Sequence, residues 1–101
     1  MDEYQVVWAE PALADLQAII SYVARQSQAG AERVRSSILN HVDILGSFPL
    51  IGPVYPRDRR GRAREIVCGQ YRIFYRVDES AKRVEILTVW HGARREPTLP
   101  G

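Results

Sequence analysis

The chain has 101 residues, of which 46% are hydrophobic and 26% charged. This suits one small domain over residues 1–101 with a modest core and argues against disorder as its general state. Its formal net charge is only +2, and no apolar run approaches the roughly 20 residues of a membrane helix. The acidic start "MDEYQ" does not read as a secretory signal, so a cytoplasmic protein is expected. A single cysteine, Cys68, excludes an internal disulfide and a Cys-rich zinc site, and reads as a packed thiol near a turn.

The predicted elements follow in order. "YQVVW" alternates Tyr4, Val6 and Trp8 against Gln5 and Val7, as a short strand does. Pro11 marks a helix start, where its missing N–H costs nothing. Leu13, Leu16, Ile20 and Val23, with Ile19 beside them, then recur at helical spacing, and this helix fades near Gln26. Ser27 caps a second helix whose stripe is Ala31, Val34, Ile38, Val42 and Leu45, with Gly46 and Pro49 as its stop. A long Gly-, Pro- and Arg-rich loop runs from Ser47 to about Gly61, and loops of this length in compact domains usually bind or gate something. Three strands remain, about Arg62 to Val67, Gln70 to Val77 and Arg83 to Trp90, joined by "CG" and "DESAK" as antiparallel hairpins.

The fold class expected is α+β: one strand, a two-helix hairpin, then a three-stranded antiparallel meander, with the helices packed on one sheet face. Residues 92–101 read as an irregular tail. Leu16, Ile20, Ile38, Val42, Tyr71, Ile73 and Tyr75 are the expected core between hairpin and sheet. Trp8 and Trp90 are expected to be core anchors that join the first and last strands to the helices.

The other sheet face is expected to meet solvent or a partner, and on the third strand it carries Arg72, Phe74 and Arg76. A two-residue turn at Cys68 and Gly69 would set Glu65 across from Arg72, a pair worth about 0.2 to 1 kcal/mol if exposed. A one-residue slip would put Arg64 there instead. Phe74 on that face would stack on a base or take an apolar side chain of a partner, or simply pack.

Charge divides unevenly. Residues 1–55 carry three arginines against six acidic residues, net −3, whereas residues 56–101 carry eleven basic against six acidic residues, net +5. The densest run, "RDRRGRAR", holds Arg57, Arg59, Arg60, Arg62 and Arg64. Arginine's planar fork favours carboxylate or phosphate, so an acidic protein segment or a polyanion is the natural partner. Neither His41, beside the second helical stripe, nor His91, at the end of the last strand, has ligands at metal spacing. No metal and no cofactor is expected.

The order of "PALADLQAIISYVA", "FPLIGP", "REIVCGQYRIFYRV" and "VEILTVWHGARREP" resembles the RelE/ParE toxin superfamily of type II toxin–antitoxin systems over nearly the whole chain. The resemblance implies a toxin neutralised by a cognate antitoxin, within a hetero-oligomer. RelE-like members resemble ribosome-dependent endoribonucleases that cut mRNA, whereas ParE-like members poison DNA gyrase. In the nuclease case Arg72 would stabilise the phosphate, Glu65 or His91 would act as base, and Arg94 would sit beside the phosphate. Cleavage through a 2′-hydroxyl needs base, acid and cationic stabilisation. The ending "GARREPTLPG" lacks the tyrosine or histidine many nuclease members carry there, and "HGAR" looks like the ParE side. The expected function is therefore a ParE-like gyrase inhibitor of a plasmid-stabilisation module, with the ribosome-dependent nuclease as alternative. Arg57, Arg59, Arg60, Arg62, Arg64, Arg72, Phe74 and Arg76 are its expected partner-binding residues.

Overall fold

The computed structural model describes residues 3–92. The order is β1 (Gln5–Trp8), α1 (Glu10–Ala24), α2 (Gln28–Ser47), β2 (Ala63–Cys68), β3 (Tyr71–Asp78) and β4 (Arg83–His91), the α+β sequence of elements expected. Of the expected tail, residues 93–101 lie outside the described residues.

Local signals account for the helices. Pro11 sits in the first turn of α1, and the Ser27 hydroxyl caps α2 by accepting the Gly30 N–H at 2.8 Å, which satisfies one of the orphan donors of a helix start. The expected stop at Gly46 is passed, because α2 continues to Ser47. There the Gly46 carbonyl accepts the Tyr4 N–H at 2.8 Å, tying the entry to β1 against the end of α2.

The four strands form one sheet in the order β1-β4-β3-β2. β2, β3 and β4 make the expected antiparallel meander, while β1 pairs parallel with β4, Trp8 opposite Ile86. Beyond Trp8 the edge of β4 meets α1 instead. Asp15 Oδ2 accepts the Val89 N–H at 3.0 Å and the Thr88 hydroxyl at 2.5 Å, so a side chain continues the backbone pairing that β1 leaves off.

Leu16, Ile38, Val42, Ile73 and Tyr75 are buried between hairpin and sheet with Val84, Ile86 and Val89. Ile20 and Tyr71, expected in the same core, are half-buried at its margin, and Trp8 packs there too. A bulge in the β3–β4 ladder sets Phe74 opposite Thr88 and Tyr75 opposite Ile86, leaving Leu87 as the extra residue. Leu87 joins a second cluster with Tyr55, Ala63 and Phe74, against which Trp90 packs, so Trp90 anchors β4 on the side away from the helices, which corrects the expectation for it and not for Trp8. The sheet is therefore covered on both faces, by the helices on one and in part by the long loop on the other. This corrects the expectation of a bare second face.

Candidate functional site

The β2–β3 turn sets the site's register. Gly69 carries a positive φ of 59°, the left-handed region in which a Cβ is penalised, and Cys68 opposes Tyr71. The turn is thus Gly69–Gln70 and not Cys68–Gly69, and Cys68 is a buried strand residue. The difference from the expected pairing is two residues, so every side chain keeps its face. Val67 lies opposite Arg72 and Glu65 opposite Phe74. Glu65 still reaches Arg72 diagonally, accepting from its Nε, and the slip that would have brought Arg64 there does not occur.

Both arginines of the outer face are held by carboxylates. Arg76 Nη2 donates to Glu85 Oε1 at 2.5 Å from the strand opposite. The Arg72 guanidinium also lies 5.1 Å from the Phe74 ring centre and 5.8 Å from that of Tyr55, within cation–π range. Only 19% of each side chain of the Arg72–Glu65 pair is exposed, so this pair is screened less by water than a surface bridge. Phe74 itself is fully buried beneath Tyr55, ring centres 4.9 Å apart and edge to face. The expectation that Phe74 offers its ring to a partner is corrected: the loop brings its own aromatic residue to cover it.

Tyr55 is positioned by backbone contacts along the free edge of β2. Its N–H donates to the Ala63 carbonyl at 2.8 Å, and the Glu65 N–H donates to the Pro53 carbonyl at 3.1 Å. Upstream, Gly52 is clamped on both sides: its N–H donates to the Tyr75 hydroxyl at 2.9 Å and its carbonyl accepts from Arg64 Nη1 at 2.7 Å. A Cβ at Gly52 would lie 2.6 Å from the Glu65 carbonyl oxygen and 2.7 Å from the Tyr75 hydroxyl, so no larger residue fits without movement. Burial pushes the Tyr75 phenol up from its ordinary value, opposed by the Gly52 N–H.

The arginine run folds around Asp58. Its carboxylate accepts the N–H groups of Ala63 and Arg62 at 2.8 Å each, and that of Arg60 at 3.4 Å. The Ala63 contact, foremost among these, holds the carboxyl below its ordinary value. The loop so fixed presents Arg57, Arg59, Arg60 and Arg62 as exposed side chains. Arg64, Arg72 and Arg76, expected among the partner-binding residues, make the internal contacts just described. Asp58 and Tyr55 escaped the sequence reading. The "DRRG" signature of a type I turn, with Gly61 N–H donating to Asp58 O at 3.0 Å, was a legible signal for Asp58; Tyr55 had none.

At the end of the sheet Arg72 and His91 line one cleft of about 410 Å³ with Val67, Gly69, Tyr71 and Gly92. His91 Nε2 lies 3.2 Å from Gln70 Oε1, and its ring stands edge-on to Tyr71 at 5.5 Å. Arg94, the third member of the expected catalytic set, lies outside the described residues. His41 is remote from this cleft in role: its Nδ1 contacts the Ser37 carbonyl at 2.8 Å and Cys68 Sγ at 3.4 Å. Among the described residues no three His, Cys, Asp or Glu side chains gather to hold a metal ion, and no helix is long and apolar enough to cross a membrane.

Comparison with known proteins places this geometry. Residues 6–96 match the model of the ParE toxin of type II toxin–antitoxin systems, parDE. No curated protein matches the chain. Among solved structures, the toxin–antitoxin complex RelBE2 from Mycobacterium tuberculosis is similar at 24% identity and a TM-score of 0.66, over 88% of this chain and 98% of that one. The chromosomal ParDE system from P. aeruginosa is similar at 23% identity and a TM-score of 0.73, over 88% and 96%. At such identities the two structures speak for the fold, and the family match covers nearly the whole sequence; the chain belongs to the ParE toxin family of type II toxin–antitoxin systems, within the RelE/ParE superfamily.

Proposed function

We propose that this toxin inhibits DNA gyrase, in the manner the ParE resemblance implies, and does not cleave mRNA. The observation that carries the reading is the Arg72–Glu65 pair. RNA cleavage asks a carboxylate or imidazole to take the 2′-hydroxyl proton while a cation faces the phosphorane. Among the described residues, Glu65, the carboxylate beside the cleft, is bound to Arg72, which would face the phosphate, and each neutralises the other. Since a missing acid or base typically costs about 10² to 10⁴ in rate, His91 alone makes a poor nuclease. The family match supports the same side.

The proposal includes a cognate antitoxin, bound in a hetero-oligomer in the cytoplasm, whose acidic segment meets Arg57, Arg59, Arg60 and Arg62. It also includes a role in plasmid stabilisation. Similar solved structures were obtained as toxin–antitoxin systems, which supports such a partner.

Two assays test the target. Added to gyrase, the toxin should block supercoiling and trap cleaved DNA; added to stalled ribosomes in a purified translation system, it should leave the message intact. The nuclease reading draws on one observation, that Arg72 and His91 share a cleft. Codon-specific cuts lost in Arg72→Ala and His91→Ala would establish it and overturn the gyrase reading.

A further inference from the structure

A cleft of about 660 Å³ opens between the long loop and the β3–β4 turn, at the end of the sheet away from His91. Arg62 from the loop, Arg64 from β2, Arg76 from β3 and Arg83 from the start of β4 all line it. Strand register brings them together. Ala63 pairs with Arg76, Arg76 with Glu85 and Asp78 with Arg83, so the backbones of Arg62 and Arg83 stand two strand spacings, or about 10 Å, apart. Asp78, Glu79 and Glu85 share the cleft, and two of these carboxylates are already engaged. Glu85 accepts from Arg76, while Asp78 Oδ1 closes the turn by accepting the Ser80 hydroxyl at 2.7 Å and the Ala81 N–H at 3.0 Å. Arg83 is 49% exposed and reaches Asp78 only at 3.9 Å. Among the described residues Arg62 and Arg64 form no ion pair; Arg64 is held through Nη1 by the Gly52 and Leu50 carbonyls. Three guanidinium charges thus line the cleft without a close carboxylate, against the single exposed charge of Glu79.

We infer that this cleft seats the phosphate backbone of duplex DNA, the DNA that gyrase holds in the reading proposed above. Donor chemistry, spacing and the lack of rings choose this ligand. Guanidinium groups meet phosphate oxygens with paired N–H donors. Over about 10 Å of axis one strand of duplex DNA carries about three phosphates, one per roughly 3.4 Å, to set against Arg62, Arg64 and Arg83. No aromatic side chain lines the cleft, so it offers no platform for the base of a free nucleotide or of a single strand. A backbone contact needs no such platform. Exposed Arg57 and Arg59 continue the positive charge along the loop. The Arg72–His91 cleft lies at the opposite end of the sheet, so this seat is separate from the one the nuclease alternative would use. A toxin bound here is held by the DNA as well as by the enzyme, and each keeps the other in place. The inference rests on the gyrase reading for the identity of the nucleic acid.

Fluorescence anisotropy of a short labelled DNA duplex titrated with the toxin tests it, with circular dichroism to report folding of each variant. The affinity should fall with salt at a log–log slope of about −3, roughly 0.9 for each phosphate neutralised. Arg62→Gln and Arg83→Gln should each make the slope shallower by about 1, equally on any sequence. Arg33→Gln, on the exposed surface of α2, should leave it unchanged. Glu79→Gln removes the unengaged carboxylate of the cleft and should tighten binding, whereas Glu32→Gln on α2 should not. Unlabelled duplex should displace the probe and ATP at equal phosphate concentration should not. In the supercoiling assay, Arg62→Gln combined with Arg83→Gln should trap cleaved DNA about tenfold less well at equal toxin. The inference is overturned by absence of duplex binding at about 50 mM salt, by ATP displacing as well as duplex, or by an unchanged slope in folded Arg62→Gln and Arg83→Gln. Undiminished trapping by the folded double variant overturns it too. Duplex binding by a wild-type toxin that fails to inhibit gyrase supports the seat and overturns instead the gyrase reading beneath it.

Discussion

Tyr75→Phe isolates the contact that fixes the long loop to the sheet. Tyr75 is fully buried and its hydroxyl accepts the N–H of buried Gly52 at 2.9 Å. The phenylalanine ring fills the same core volume, so cavity formation is not the issue; the Gly52 N–H is left without an acceptor. An unsatisfied buried donor costs about 1 to 3 kcal/mol, equivalent to roughly 4 to 8 °C in melting temperature per kcal/mol for a domain of this size. Urea denaturation should report the loss as a lower midpoint at unchanged slope. Amide exchange should speed up first at Gly52 and Tyr55, the residues through which the loop covers Phe74. A change below about 0.5 kcal/mol with unaltered exchange would refute the reasoning and mean that the backbone bonds of Pro53 and Tyr55 to β2, with Arg64, hold the loop without Tyr75. Gly52→Ala, which forces the same segment away from β2, should reproduce the loss.

The Tyr75 and Tyr71 phenols are both raised by burial, so the native state holds its protons more tightly than the unfolded chain. Stability is then fully present below the ordinary tyrosine value of 10.0 and falls as pH rises past it; denaturation at increasing alkaline pH should show a shallower decline in Tyr75→Phe. Ile38→Ala, at a fully buried position, should cost about 2 to 5 kcal/mol, and Ile20→Ala, half-buried at the margin, less than about 2 kcal/mol on the same scale, as compared by urea midpoints. Asp15→Ala strands the Val89 N–H and the Thr88 hydroxyl beyond the end of β1 and should cost about 1 to 3 kcal/mol for each group that water cannot reach, with faster amide exchange at Val89 as the specific sign.

What the sequence determined by itself is local. The 3.6-residue stripes of α1 and α2, the Ser27 cap and the alternation of β3 depend on neighbours a few residues apart, so their identity was legible, as was the family resemblance carried by their order. Faces survived an error in register because the turn lay one residue later and shifted the pairing by two, which leaves Glu65 and Arg72 on one side. Tertiary structure decided the rest. Phe74 reads as an exposed residue among arginines because alternation assigns it a face but says nothing of what covers that face; the cover is Tyr55, nineteen positions upstream, delivered by a loop without periodicity. The parallel pairing of β1 with β4, the bulge that turns Leu87 outward and the clamp on Gly52 likewise join residues distant in the chain. Which arginines remain exposed to a partner and which are spent on Glu65, Glu85 and the Gly52 carbonyl was settled the same way, because charge alone does not distinguish a guanidinium facing solvent from one facing the protein's own acceptors.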